Sequence, residues 1–152
     1  MPSDVTNPNC RETYASLCLF GSVLDPTLIS TILRLSPSDA AHTGDVTHLS
    51  SGKTHVAPRG RWIFATSGLT PSTDAEHHIS LILDRLDAVS AQPTHLPGVE
   101  AASISVYWVS ATGNGGPAVS PAVMRRLTHY ELPLEFDIYF DDSAPPTPAV
   151  PG

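Results

Sequence analysis

Charge is scarce in this chain: Asp, Glu, Lys and Arg make up 15% of its 152 residues, against about a quarter in an average domain. Cations are scarcer still, with 8 Lys and Arg against 15 Asp and Glu and a formal net charge of -7. A chain so poor in cations lacks the basic surface from which phosphate binding draws most of its affinity, so nucleic acid is not an expected partner. The 2 cysteines, Cys10 and Cys18, supply neither a zinc pattern nor a disulfide framework. No apolar run approaches the roughly 20 residues of a membrane helix. Met1-Pro2-Ser3-Asp4 also lacks the basic and then apolar start of a secretory signal, so a cytoplasmic protein that does not engage membranes is expected.

Catalytic patterns are missing as well. There is no Gly-x-Ser-x-Gly elbow, and Gly113-Asn114-Gly115-Gly116 is followed by Pro117, Ala118 and Val119 rather than by the Lys and Ser or Thr of a phosphate-binding loop. The 7 histidines, at 42, 48, 55, 77, 78, 95 and 129, fall in no recognised ligand spacing. Asp74 and His78 stand one helical turn apart and could share an ion. Acidic residues at a positive helix N-terminus, with exposed His77 and His78 beside them, are the simpler reading. No metal, cofactor or catalytic residue is therefore expected, and the chain reads as a non-enzyme.

Proline is abundant, 15 in all, and it marks the ends of the domain. Residues 1–11 hold no periodic apolar pattern and read as a flexible leader. Residues 143–152 carry Pro145, Pro146, Pro148 and Pro151, which cannot join a ladder, and read as an extended tail. Residues 12–142 form a single domain, large enough to bury roughly 70% of the surface of its unfolded chain.

Within that domain, Thr13 to Phe20 alternates with apolar residues on both sides, as a covered central strand does. Asp25-Pro26 opens a helix, with Asp25 as cap, Pro26 at the first helical position and Leu24 stapling onto Ile29. Its buried stripe is Leu28, Ile29, Ile32, Leu33 and Leu35, and it stops before Ser36-Pro37. A strand around Val46 to Leu49 precedes a loop with Lys53, His55, Arg59 and Arg61, and Trp62 to Thr66 is a strand. Thr73 and Glu76 have capping-box spacing. The helix they start, to Val89, buries Ile79, Ile82, Leu83, Leu86 and Val89. Ala102 to Val109 alternates again. Ser120-Pro121 repeats the grammar of Asp25-Pro26 before a helix burying Val123, Met124, Leu127 and Tyr130. Leu134 to Phe140 closes as a half-buried strand.

A strand-helix-strand unit thus occurs twice, from Tyr14 to Leu49 and from Ser103 to Phe140. The order of elements predicts an α+β, ferredoxin-like sandwich: one antiparallel or mixed sheet with helices on one face, built from two related units.

Several short pieces resemble one family. Leu19-Phe20-Gly21 with Leu24-Asp25-Pro26, Gly44-Asp45, Gly60-Arg61-Trp62, Leu81 to Leu86 and the ending Leu134-Glu135-Phe136-Asp137-Ile138-Tyr139 look like the bacterial family known as domain of unknown function 4279. The resemblance covers about Tyr14 to Phe140. It implies a small bacterial cytoplasmic domain and brings no activity or catalytic residues to carry over.

Two features point to function. The first is the acidic end, where Glu135, Asp137 and Tyr139 share one strand face and Asp141 follows, a surface suited to a basic partner. The second is the basic loop of Lys53, Arg59 and Arg61 next to Trp62, suited to a small anionic ligand. The reading preferred is a binding protein of immunity or regulatory type that meets a basic protein through the acidic sheet face. The alternative is a small-ligand or anion-binding module using residues 53–62.

Overall fold

The computed structural model describes residues 6–140. The proline-rich tail and Asp141, expected at the partner surface, lie outside the described residues. Seven strands and three helices follow in order: β1 (Cys10–Gly21), α1 (Pro26–Leu33), β2 (Asp39–Ala41), β3 (Val46–His48), β4 (Thr54–Val56), β5 (Gly60–Ala65), α2 (Ala75–Val89), β6 (Ala101–Ser110), α3 (Pro121–His129) and β7 (Leu134–Phe140). The fold is α+β. Five strands form a mixed sheet of order β2-β5-β1-β6-β7, and β3 and β4 pair as a separate hairpin. β1 is flanked by antiparallel β5 and β6, β2 is antiparallel to β5, and β7 runs parallel to β6.

The helices start where their caps dictate. The Asp25 carboxylate accepts from the Thr27 N–H at 3.0 Å, and the Ser120 hydroxyl accepts from the Val123 N–H at 3.3 Å. Each cap satisfies a free first-turn donor beside a proline that has none to lose. α1 ends at Leu33 because Arg34 turns left-handed, at φ 54°. The capping box expected from Thr73 and Glu76 does not form. Asp74 caps α2 instead, accepting from the Glu76 N–H at 3.1 Å, while the Thr73 hydroxyl accepts from the Asn7 N–H at 2.9 Å. The Glu76 carboxylate reaches across to accept from the Ser120 N–H at 2.6 Å, tying the start of α2 to that of α3.

All three helices cover one face of the sheet and close a single core. β1 contributes Ala15, Leu17 and Leu19, β5 contributes Trp62 and Phe64, and β6 contributes Ile104, Val106 and Trp108. Ile29 and Leu33 of α1 and Ile79, Ile82, Leu83 and Leu86 of α2 fill the space above them. The Trp62 indole N–H donates to the Ser30 hydroxyl at 3.0 Å, so this buried side chain is also satisfied, whereas the buried Trp108 indole N–H has no partner among the described residues. Leu28 and Met124, expected in buried stripes, are exposed, because Pro26, Ile29 and Leu33 already fill the inward side of α1 and Val123 and Leu127 that of α3. Cys10, read as part of the leader, is buried at the start of β1.

The two units read from the sequence differ in topology. Residues 46–48 pair with β4 and not with the main sheet, so they are not the return strand of the first unit. That role falls to β2, which β5 separates from β1, whereas β7 lies directly beside β6.

Candidate functional site

β1 was expected to be covered on both sides, and only one side meets helices. Because side chains alternate along a strand, Tyr14, Cys18 and Phe20 of β1, Tyr107 of β6 and Glu135, Asp137 and Tyr139 of β7 belong to the opposite, open face. None of them enters the helix-side core cluster. They cover one another instead. The rings of Tyr14 and Tyr107 stack with centroids 4.8 Å apart and planes 22° from parallel. Tyr107 and Tyr139 continue the row at 5.3 Å, so three strands carry one band of aromatic rings.

That band ends on carboxylate. The Tyr139 hydroxyl donates to Asp137 at 3.1 Å, and this bond, followed by the charge of Asp137, holds the phenol above its ordinary value. Tyr14 is raised too, first by burial and then by the neighbouring Tyr107, Glu12 and Asp137. On the same face, burial and then the charge of Glu135 push the Cys18 thiol up to about 11. A thiol with that pKa stays protonated at neutral pH and is a poor nucleophile. Beyond Cys18, the Arg59 guanidinium sits 4.6 Å above the Phe20 ring. A shallow recess of about 460 Å³ opens there, with Glu100, Glu131 and Glu135 around it.

The structure thus brings together Glu135, Asp137 and Tyr139 as the strand alternation predicts, all exposed. Asp137 accepts from Tyr139 of its own strand. Tyr14 and Tyr107 were missed as members of the face. The signal was present in the outward positions of two strands, but their adjacency depends on the β1–β6 register, where Tyr14 is the partner of Tyr107.

Trp62 does not share a face with the cations of residues 53–62: Arg61 is the register partner of Phe20, the ring that Arg59 covers. Trp62 has 0% exposure, so its ring offers no surface for a ligand to stack on. Arg61 lies within β5, one position along the strand, and donates to both oxygens of Asp39, at 2.6 and 3.1 Å. Arg59 is engaged with Phe20, and Lys53 lies at the turn of the β3–β4 hairpin, its carbonyl accepting from the Leu49 N–H at 2.8 Å.

The Asp74–His78 pair is taken up by the fold. Asp74 caps α2, and His78, expected to be exposed, has 1% exposure. Its Nε2 lies 2.8 Å from the Ser72 carbonyl and its Nδ1 lies 2.6 Å from the Thr66 hydroxyl. A neutral ring satisfies both, donating to Ser72 and accepting from Thr66. Burial lowers its pKa below that of an exposed histidine. Position 78 is four before Ile82, so the stripe of α2 did mark it as inward. Among the described residues, no three His, Cys, Asp or Glu side chains converge to hold a metal ion, and no helix is long and apolar enough to cross a membrane.

The glycines of the family-like motifs serve the fold. A Cβ on Gly21 would lie 1.8 Å from the Gly98 carbonyl oxygen, and one on Gly60 would lie 2.8 Å from that of Gly21. Three backbone segments meet there more closely than any side chain permits. Residues 11–141 match the pattern of the family described as a domain of unknown function (DUF4279), and the chain belongs to that family. No curated protein and no solved structure matches it.

Proposed function

We propose that this member of the family is a non-enzymatic binding protein that engages a basic protein through the open face of its sheet, in an immunity or regulatory role. The observation that carries the reading is the tyrosine row of Tyr14, Tyr107 and Tyr139 ending on Asp137 beside Glu135. Ring faces and carboxylates attract the same kind of group, a guanidinium or ammonium, by cation–π contact and by charge. The net charge of -7 adds long-range attraction for a cationic partner. The protonated Cys18 beside this face also favours binding over chemistry there.

We also read β1-α1-β2-β5-α2-β6 as a ferredoxin-like core. Its support is the strand order β2-β5-β1-β6 with antiparallel neighbours throughout. α3 and β7 then extend the sheet at one edge, and the β3–β4 hairpin is an insertion.

The test is a titration of the labelled protein with a nona-arginine peptide, followed by NMR at low and at physiological salt. Shifts should centre on Tyr14, Tyr107, Glu135, Asp137 and Tyr139, and binding should weaken as the Debye length shrinks to about 8 Å. Shifts centred elsewhere, or binding indifferent to salt, would remove the open face from the interface.

A further inference from the structure

β7 was expected to be half-buried, and both of its faces are exposed. On the helix side Phe136, Ile138 and Phe140 keep 48%, 43% and 60% of their surface accessible. They are in register with the buried Val106, Trp108 and Ser110 of β6, so they point to the helix side, and among the described residues no element covers them. On the other side of the same strand stand Glu135, Asp137 and Tyr139.

Among the described residues the edge itself is also open. β7 is the last strand of the sheet, and the Ile104 N–H donates to the Pro133 carbonyl at 2.9 Å. In a parallel ladder alternate residues bond to the same neighbour. The peptide groups of Glu135, Asp137 and Tyr139 therefore turn toward β6, and those of Phe136 and Ile138 turn outward. No described residue pairs with them. A seven-residue edge with free donors and acceptors and an apolar side is a template for another strand.

We infer that β7 takes an extended segment of the basic partner as a sixth strand, and that the segment alternates apolar with basic residues. This deepens the reading of the open sheet face as a basic-protein surface and rests on it. Main-chain bonds to Phe136 and Ile138 would supply affinity, and the alternation would supply specificity. One set of side chains covers Phe136, Ile138 and Phe140, while the set between them reaches Glu135, Asp137 and Tyr139. A second copy of this chain is the weaker occupant, because it would bring another Glu135 and Asp137 onto a face that already carries both.

The experiment compares two nine-residue peptides of one composition, one alternating Arg with Val and one with the two residue types in separate blocks. Amide exchange and NMR shifts are followed in the full chain. The alternating peptide should bind more tightly and protect the amides of Phe136 and Ile138. N-methylation of its two central amides on the β7 side should weaken it about tenfold, the loss of two main-chain bonds. Equal binding of both peptides, with shifts on Tyr14 and Tyr107 and no protection in β7, would overturn the strand inference while leaving the open-face reading standing. Binding of neither at low salt would overturn both. Sedimentation showing a dimer that the Ile138→Lys variant disperses would assign the edge to a second copy and overturn the partner claim.

Discussion

The two faces of the sheet are built from neighbouring positions on the same strands, yet they have opposite fates. Leu17, Leu19, Trp62, Ile104 and Trp108 are wholly buried under helices. Tyr14, Cys18, Phe20 and Tyr107, one residue away on β1 and β6, are half-buried, with Tyr107 between the rings of Tyr14 and Tyr139 and with Arg59 over Phe20. A strand sorts its side chains by parity, but what lies across from each set is decided by the rest of the chain. The covered face accounts for stability. The open face, the surface proposed for recognition, carries an aromatic area that is assembled without being sealed.

If that division is correct, substitutions should separate by face. Trp62→Ala should have the largest effect, about 3–5 kcal/mol by chemical denaturation, from lost packing and the cavity left behind. Trp62→Phe should cost more than Trp108→Phe, since it also gives up the bond to Ser30. A Trp62→Ala variant of wild-type stability would abolish the distinction between the faces.

His78 sharpens the covered side. Its folded-state pKa lies below the ordinary 6.5, so below that pH the unfolded chain binds the proton more readily. The stability from the buried neutral ring is fully present above about pH 6.5 and is lost as pH falls toward the depressed folded value. His78→Gln should cost about 1–3 kcal/mol at pH 7 through its disturbed partners and should flatten the stability curve between pH 7 and 5. Hydrogen bonds and nearby positive charge hold Asp39 and Asp87 below the usual carboxylate range, so their contributions fade in a separate, more acidic window. Persistence of the full slope in His78→Gln would assign it to other groups.

Smaller effects belong to the open face. Tyr107→Ala should cost about 1 kcal/mol, the scale of an aromatic pair at a partly exposed site. Glu135→Gln and Asp137→Asn should each change stability by less than about 0.5 kcal/mol, while together they slow association with the nona-arginine peptide and flatten its salt dependence. A loss of several kcal/mol from Asp137→Asn would mark that carboxylate as a structural acceptor and not a recognition group.

The stretches legible in sequence were those governed by local rules. Asp25-Pro26 and Ser120-Pro121 opened helices because a capping side chain and a proline act within four residues. α2 was readable from its apolar period, and β6 and β7 from their alternation. The two-fold unit failed at residues 46–48, where a short alternating run looks the same in a hairpin as in a main sheet. The candidate site was half legible. Glu135, Asp137 and Tyr139 share a face by parity alone, but Tyr14 and Tyr107 are 93 residues apart in sequence and meet only through strand register.

By itself the sequence determined the positions of the three helices, the direction in which each strand residue points, the shortage of cations and the family. These follow from dihedral preference, periodicity and composition, which need no distant partner. Only the tertiary structure decided that, among the described residues, one face of the sheet meets helices and the other does not, that Trp62 is sealed and His78 enclosed, and that the apolar side of β7 stays uncovered. Each of these depends on which segments pack across from one another, and that depends on contacts among residues far apart in the chain.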